Sequence, residues 1–418
     1  MKCLKKSVVI FITAVCLLIT GCGDTGSLSK LPSSSFHEDK QKLTIMHIDA
    51  DNKRFQDFIE ETEKKLDMEI TVEKCPSNAD NRQAKISTIL ASGDQNIDLI
   101  SVNDEMISEF KHKGYLEPLE KNVMTEEVRD SFPQKYLESI CEENGHIYSV
   151  PFQMDIMMFW VNQELLKQAG LDEIKNTGDF DILQKSLKNP DQYAYGDAWE
   201  NTHVYNSLSQ FVNFWGGDYF DWTDPKTKDA ARYMKSMLDE KNTSPAQFVD
   251  QYEQMEEKFI RGKYGCVFMY TSALGTFLDA DVYGKNKIHM APLPVLHKKK
   301  ATNIATWQYV LNNASENKDA AVRFLQYAAG YEGSTEYAKI MKSYPARVDV
   351  IENEDIDLEG IDMIRKYLRE YTLNARPLCE NSMGAVSDMG KLFQGYVLGQ
   401  CEEDSFFEQA QNCINTYY

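Results

Sequence analysis

The stretch IDLISVND, residues 97–104, decides the fold class of this chain. Its first part is almost entirely apolar, which is typical of a short buried strand. Asn103 and Asp104 then provide side chains that cap a helix, and the helix predicted at 105–113 ends at Gly114. A buried strand that runs through a polar turn into a helix is the repeating unit of an α/β sheet.

The same alternation extends upstream of this unit. Residues 42–48 and 68–72 have strand character, and each stretch is followed by a helical pattern, at 55–66 and 81–91. Three strand–helix units in succession predict a mainly parallel sheet with helices on its faces.

The order recurs downstream. Strands are predicted at 147–151, 157–161, 266–270 and 288–292, and the final third of the chain is largely helical. At about 150 residues per domain, a chain of 418 residues predicts two or three units. Two α/β lobes account for this length and alternation.

The N-terminus is organised as an export signal, predicted to comprise residues 1–21. Lysines precede the apolar run Val8–Ile19, which is shorter than a membrane span. The sequence ITGC that ends at Cys22 resembles the bacterial lipobox. That resemblance implies cleavage before Cys22, lipid on its thiol and attachment to the extracytoplasmic face of the cell membrane. The alternative is a chance cysteine behind an ordinary signal peptide.

Residues 22–41 are polar and are expected to form a flexible linker.

The composition excludes several classes of function. The formal charge is −20, and loss of the three lysines in residues 1–21 leaves a mature charge of −23. Phosphate backbones repel such an acidic body, so no nucleic acid is expected among its partners. No phosphate-binding loop, dinucleotide fingerprint, nucleophile elbow or metal-ligand motif is present. The sequence therefore gives no reason to expect a cofactor, a metal or a catalytic centre.

Six cysteines remain when the signal region and Cys22 are set aside: Cys75, Cys141, Cys266, Cys379, Cys401 and Cys413. An even number outside the cytoplasm permits disulfides, but the sequence cannot choose among the pairings. Buried free thiols are the simpler interpretation, because a chain of this size can fold without covalent cross-links.

Polar residues follow two of the predicted strands, at the positions where α/β proteins bind ligands. Asp51 follows the first strand, and Asn103 and Asp104 follow the third, so their side chains are expected at one edge of the sheet. They can hydrogen-bond ligand hydroxyls or simply cap the next helices. Trp199 lies in a polar stretch, and Trp307 begins a segment that leads into a strand predicted at 309–311. Both rings can contact a ligand, with core packing as the alternative.

A series of short motifs follows the order of a known family. The chain resembles the family 1 extracellular solute-binding proteins, which are the maltose-binding-protein-like receptors of ABC importers. The likeness runs from about residue 43 to the C-terminus. The motifs that carry it are GYLEPL at 114–119, YSVP at 148–151, NQELLKQAGL at 162–171, the glycine pair at 216–217, FIRGK at 259–263, APLP at 291–294, NKDAAVRFL at 317–325 and PAR at 345–347.

The resemblance implies a two-lobed periplasmic-binding-protein-like fold, in which each lobe is a mainly parallel sheet flanked by helices and a hinge joins the lobes. Residues 42–152 and 295–342 would form lobe 1, and residues 153–294 and 343–418 would form lobe 2. The ligand cleft would lie between the lobes.

The resemblance also implies which residues line the cleft. Carried over by position, these are Asp51, Asn103, Asp104, Asp155, Tyr270, Trp307, Tyr344 and Arg347. The structural alternatives are a capping role at the hinge for Asp155, a core position for Tyr270 and a link between the lobes for Arg347.

The function implied by the resemblance is capture of a small solute by hinge closure. A lipid-anchored monomer would hold a sugar or oligosaccharide between its lobes and deliver it to the permease of an ABC importer. One alternative is a receptor for a non-sugar solute such as a peptide or a polyamine, because an acidic cleft attracts cations. Another is a secreted glycoside-processing enzyme. A purely structural surface protein would have no cleft.

Overall fold

The fold is that of a computed structural model, which describes residues 40–76 and 79–418. The predicted signal peptide, Cys22 and nearly all of the predicted linker therefore lie outside the described residues. The strands are β1 (Gln41–His47), β2 (Met68–Lys74), β3 (Leu99–Asn103), β4 (Glu142–Glu143), β5 (His146–Ile147), β6 (Val150–Asn162), β7 (Tyr193–Gly196), β8 (Tyr264–Tyr270), β9 (Ile288–Ala291), β10 (Ala301–Leu311) and β11 (Thr372–Ala375).

The α-helices alternate with these strands and then dominate the C-terminal part. They are α1 (Lys53–Leu66), α2 (Ala79–Ser92), α3 (Asp104–Phe110), α4 (Glu126–Arg129), α5 (Gln134–Tyr136), α6 (Gln163–Gln168), α7 (Thr177–Ser186), α8 (Val204–Trp215), α9 (Pro225–Asp239), α10 (Tyr252–Ile260), α11 (Ala273–Asp279), α12 (Lys318–Ala329), α13 (Tyr331–Met341), α14 (Val348–Glu352), α15 (Ile361–Glu370), α16 (Ser382–Val397) and α17 (Glu403–Tyr417).

The larger sheet has the strand order β2-β1-β3-β10-β6-β8-β7, with β11 beside β10 and β9 beside β6. We call β1, β2 and β3 the first half of this sheet and β7, β8 and β9 the second half. In the first half β1 pairs in parallel with β2 and β3, and in the second half β7 pairs in parallel with β8. Helices pack on both halves, which confirms the predicted α/β class.

Two long strands, β6 and β10, connect the halves. Residues 150–156 of β6 pair with β10, whereas residues 157–162 pair with β8 and β9. Along β10, residues 307–311 pair with β3 and residues 301–304 pair with β11. The pairs of β6 with its neighbours and of β10 with β3 are antiparallel, so these crossing strands join two parallel sets.

Aromatic side chains fill the core of both halves. In the first half the buried imidazole of His47 stacks on Phe55, with 3.8 Å between ring centroids. In the second half the ring of Tyr195 lies 6.0 Å from the rings of both Phe211 and Phe268. Burial of this kind supplies most of the stabilisation of a folded domain.

The structure differs from the sequence prediction in the crossing strands. β6 is one continuous strand where two were predicted, and β10 begins at Ala301 rather than near Tyr309. Buried polar residues, among them Asp155, Thr302 and Asn303, interrupt the apolar pattern on which the prediction relied. The lobe boundaries inferred from the resemblance stay a prediction.

No helix among the described residues combines the length and the apolar character needed to cross a membrane. Within residues 40–76 and 79–418, no three His, Cys, Asp or Glu side chains are grouped so that they could hold a metal ion. The six cysteines named above are free thiols, as expected, although Cys379 and Cys401 are only partly buried.

Candidate functional site

Asp104 forms a buried ion pair with Arg376, which comes from a distant part of the chain. It begins α3 directly after β3, and Asn103 caps the same helix by accepting a hydrogen bond from the backbone of Met106 at 3.2 Å. The Arg376 side chain, which follows β11, donates to both carboxylate oxygens of Asp104, through Nη2 and through Nε at 3.1 Å. The exposed fractions of the two side chains are 0% and 8%, so this pair is shielded from water.

Glu105 and Tyr205 extend the contact across the two halves. Tyr205 lies in the first turn of α8, which follows β7 of the second half, and its hydroxyl donates to Glu105 at 2.7 Å. Nη1 of Arg376 donates to Glu105 at 2.7 Å and to the Tyr205 hydroxyl at 2.6 Å. Burial lowers the pKa of Arg376 to about 9, so the guanidinium is still charged at neutral pH.

The Arg376 guanidinium also contacts two aromatic rings. Its central carbon lies 5.9 Å from the ring centroid of Tyr205 and 6.0 Å from that of Tyr270, within the range of cation–π attraction. We call Asp104, Glu105, Tyr205, Tyr270 and Arg376 the Arg376 network. It links α3 of the first half with α8 and β8 of the second half.

Tyr270 ties this network to the crossing strand β10. Its hydroxyl donates to the Asn206 side chain at 2.9 Å, and Asn303 of β10 donates to the Asn206 carbonyl at 3.1 Å. The ring of Tyr252 packs edge-on against Tyr270 at 5.8 Å. The Tyr252 hydroxyl is buried and has no hydrogen-bond partner among the described residues, so it is available to a ligand group.

Asp155 lies where β6 changes partners between the halves. Its carboxylate accepts hydrogen bonds from the Thr271 hydroxyl at 2.7 Å and from the Ser272 backbone at 2.9 Å. Burial raises the pKa of Asp155, because a buried carboxylate loses its hydration, and no Lys, Arg or His among the described residues forms an ion pair with it. Glu256 is nearby, and burial together with Glu253 raises its pKa to about 7.

Trp307 lies on β10 opposite Asn103 and Gln153, its partners on the neighbouring strands. Its ring is only partly buried, and the Arg82 guanidinium lies 5.4 Å from the ring centroid. A partly exposed indole beside strand ends offers a flat apolar face together with an N–H donor.

Trp199 does not join these residues. Its side chain is fully buried in the second half, where its ring packs against Phe248 and Phe393 and its Nε1 donates to Asp197 at 2.8 Å. The same carboxylate accepts a hydrogen bond from the Tyr195 hydroxyl at 2.7 Å. These contacts give Trp199 a packing role.

Three further predicted residues are engaged elsewhere. Asp51 is exposed and pairs with Lys74 at the end of β2. Tyr344 is buried and donates its hydroxyl to the Glu359 carbonyl. Arg347 donates to the Ala329 carbonyl at 2.7 Å, to Ser131 at 2.8 Å and to Asp349 at 2.7 Å, so its guanidinium has a full set of structural partners.

The structure thus brings Asp104, Asp155, Tyr270 and Trp307 to the junction of the two halves, with Asn103 beside them. Sequence reasoning did not identify Arg376, Glu105 or Tyr205. Glu105 could have been found as the neighbour of Asp104. Arg376 is 272 positions from Asp104, and no local pattern signals that contact.

Two sheet halves joined by crossing strands, with polar and aromatic groups of both meeting at the junction, define a two-lobed α/β binding protein. The family described as bacterial extracellular solute-binding protein matches residues 49–335. Because the match spans well over half of the chain, this protein belongs to that family.

The curated relatives match only part of this chain, at low sequence identity. The chain is 24% identical over 239 residues to a probable amino-acid ABC transporter periplasmic-binding protein, y4oP, of Sinorhizobium fredii, and this alignment covers 54% of each protein. It is 24% identical over 193 residues to a putative binding protein of Brucella abortus, covering 43% of this chain and 46% of that protein. The chain therefore spans about half the length of the curated relatives it matches.

Solved structures match over nearly the whole chain. A solute-binding protein of Thermotoga lettingae bound with α-D-tagatose is 18% identical, with a TM-score of 0.75. Maltose-bound MalE3 of T. maritima is 17% identical with the same TM-score, and an ABC substrate-binding protein of Listeria monocytogenes in complex with cycloalternan is 17% identical with a TM-score of 0.74. Each match covers 90% of this chain and 99% of the other, and together they show the shared two-lobed fold.

Proposed function

We propose that this protein captures a small solute at the junction of its two halves and delivers it to the permease of an ABC importer. The observation that carries the proposal is the Arg376 network, in which groups from the two halves meet. Binding would couple to hinge closure, since contacts from the second half are added only when the halves approach. A lipid on Cys22 would hold the receptor at the extracytoplasmic face of the membrane.

A sugar or oligosaccharide is the ligand class that we favour. Carboxylates such as Glu105 accept hydrogen bonds from hydroxyl groups, and the half-buried ring of Trp307 provides a surface for the apolar face of a sugar ring. The ligands bound in the similar structures named above, tagatose, maltose and cycloalternan, are all carbohydrates.

A solute that carries a positive charge is the second candidate. Asp155 is buried and has no cationic partner among the described residues, and Glu256 and Glu253 add further carboxylates nearby. A cation would offset this local negative charge. The amino-acid transporter relative named above is consistent with a non-sugar ligand.

The test is a thermal-shift screen of the purified protein against sugars, sugar oligomers, amino acids and polyamines. A ligand that binds only the folded state raises the melting temperature with increasing concentration. Saturable stabilisation by a carbohydrate would support the first candidate, and stabilisation by an amine would support the second. Chromatography of the incubated mixtures provides the control for catalysis, because a receptor returns its ligand unchanged and a glycoside-processing enzyme yields products.

Replacement of Trp307 by alanine checks the site itself. We expect the affinity for the screened solute to fall by about five- to thirtyfold, because loss of one aromatic stacking surface costs about 1–2 kcal/mol. The melting temperature without ligand should change little, since the indole is only partly buried. Tyr331→Ala, at an exposed aromatic outside the junction, is the matched control. Unchanged affinity in Trp307→Ala would remove this ring from the site.

A further inference from the structure

A cavity lies beside β10 and β11, and Trp307 is not among its lining residues. It has a volume of about 590 Å³, within the range of small-molecule sites. Its walls include Lys135 of α5, Asn213 and Gly216 at the end of α8, Lys299 ahead of β10, and Asn374 of β11. We call this cavity the β11 pocket.

The charge of the β11 pocket is opposite to that of the protein. Within the described residues the ammonium groups of Lys135 and Lys299 make neither an ion pair nor a hydrogen bond, whereas the chain as a whole carries −20. Arg376 reaches one wall, but Asp104 and Glu105 neutralise it. The acidic residue in the lining is Asp218, whose Oδ1 accepts a hydrogen bond from the Phe220 backbone at 2.9 Å. The lining therefore holds two lysine charges against the single carboxylate of Asp218, and its net charge is positive.

The sequence next to Lys299 strengthens this local positive potential. Residues 297–300 read HKKK, and all four are exposed. Within the described residues Lys298, Lys299 and Lys300 form no ion pair with a carboxylate. A concave surface with an excess of one charge concentrates counter-ions, so a small anion would be attracted to the side of the β11 pocket that Lys299 lines.

The glycine pair at 216–217 shapes the pocket wall. Gly216 has a φ of +70°, and a Cβ at this position would lie 3.2 Å from Cε of Lys299. A Cβ at Gly217 would lie 2.6 Å from the Thr227 hydroxyl oxygen. Because neither glycine has a Cβ, the turn at 216–217 can approach Thr227 closely. The methylene groups of the Lys299 side chain can then lie against Gly216. The Lys299 backbone is fixed by donation to the Phe214 carbonyl at 3.2 Å.

We propose that the β11 pocket binds a small organic anion that carries carboxylate or phosphate groups. Lys135 and Lys299 would pair with its charges, and the Asn374 amide and the Thr372 hydroxyl would donate hydrogen bonds to its oxygens. This anion is distinct from the solute of the proposed function. Lys135 lies in α5, which leads into the helical turn at 137–141 that packs on α3 of the first half. Asn213 lies on α8 of the second half, so the anion would lie between elements of both.

The experiment is calorimetric titration of the purified protein with citrate, and separately with inorganic phosphate, at fixed ionic strength. We expect saturable binding of at least one of them, weakened at least tenfold in the double variant Lys135→Gln/Lys299→Gln. The control Lys185→Gln/Lys285→Gln removes the same charge at two exposed lysines outside the pocket. Thr372→Trp places a bulky side chain in the pocket wall, leaves both lysines in the sequence and should also abolish binding.

The proposal is overturned by absence of saturable binding, by equal weakening in both double variants, or by full binding in Thr372→Trp. A sedimentation assay with vesicles of phosphatidylglycerol and phosphatidylcholine separates a free anion from a lipid headgroup. Vesicle binding without citrate or phosphate binding would assign the lysines to a membrane surface and would also overturn the proposal. The thermal shift given by the main solute should persist in every variant that is folded, which separates this result from a failure of the proposed function.

Discussion

Arg376 is the residue on which the junction of the two halves depends most. It is buried, it is charged, and it satisfies two carboxylates and a tyrosine hydroxyl that belong to different parts of the chain. A buried charge is tolerated only when such partners surround it. We therefore interpret Arg376 as a positioning residue that aligns Glu105 and Tyr205 for contact with a solute.

Replacement of Arg376 by methionine should lower the free energy of unfolding by about 3 kcal/mol, because Asp104 would stay buried without its partner. The double variant Arg376→Met/Asp104→Asn should recover part of that loss, since the unpaired charge is removed. Urea titration of both variants measures the difference. The control is Arg369→Met, which breaks an exposed ion pair with Glu352 and should cost less than about 1 kcal/mol. A value for Arg376→Met within 0.5 kcal/mol of the parent, about the usual effect of a surface change, would contradict this account.

His47 predicts how stability depends on pH. Burial lowers the pKa of His47 to about 3, and its Nδ1 accepts a hydrogen bond from the Asp49 backbone, so the folded state holds the ring neutral. The unfolded chain binds the proton near pH 6.5, and stability contributed by the neutral ring is therefore lost as pH falls below that value. Between pH 7 and pH 5 this residue should account for about 2 kcal/mol of lost unfolding free energy.

The measurement is urea unfolding at pH 7 and pH 5 for the parent protein, His47→Gln and the exposed control His146→Gln. The pH-dependent loss should be smaller in His47→Gln, whatever its absolute stability, and unchanged in His146→Gln. Equal pH dependence in all three proteins would show that His47 is not held neutral.

At the same scale, the polar turn after the third predicted strand indicated Asp104, and the segment before the strand predicted at 309–311 indicated Trp307. Asp155 and Tyr270 were expected only from the family resemblance, and a binding role for all four stays a prediction. Sequence reasoning could not find Arg376. The partners of Arg376 come from β3, α3 and α8, and only the folded chain brings them together. Trp199 shows the converse, because a polar sequence context suggested exposure while Asp197 satisfies its indole inside the core.

Among the elements, the strands of the first half were predicted closely, since their residues alternate between buried and exposed or are uniformly apolar. The crossing strands β6 and β10 were predicted less closely, because they place polar groups at the junction of the two halves. Thr302, Asn303 and Thr306 of β10 are buried and hydrogen-bonded to other elements. Local periodicity identifies strands that bury one apolar face, and β10 does not follow that pattern.

Helix α16 offers a direct test of close packing between elements. A Cβ at Gly390 would lie 2.0 Å from the Asn201 carbonyl oxygen, whereas one at Gly395 would meet only the Gln400 side chain at 4.0 Å. Gly390→Ala should destabilise the protein by about 1–3 kcal/mol, because the helix must move away from Asn201. Gly395→Ala, its control in the same helix, should stabilise it by about 0.4–1 kcal/mol. Unfolding in urea distinguishes the two, and stabilisation by both substitutions would refute the close approach.

The whole molecule combines an acidic body with a localised basic pocket and with one junction of polar and aromatic groups. The order of motifs along the chain was enough to predict the two-lobed fold, since that order reflects the succession of strands and helices. It could not reveal how the side chains of the two halves meet, because cleft residues are set by the ligand and not by the fold.

The most direct test of the central claim is hydrogen–deuterium exchange measured with and without the solute that gives the largest thermal shift. If the solute binds between the halves, backbone amides near Asp104 in the first half and near Tyr205 and Tyr270 in the second half should all exchange more slowly when it is bound. Protection confined to one half, or to neither, would contradict the claim that the ligand is held by both.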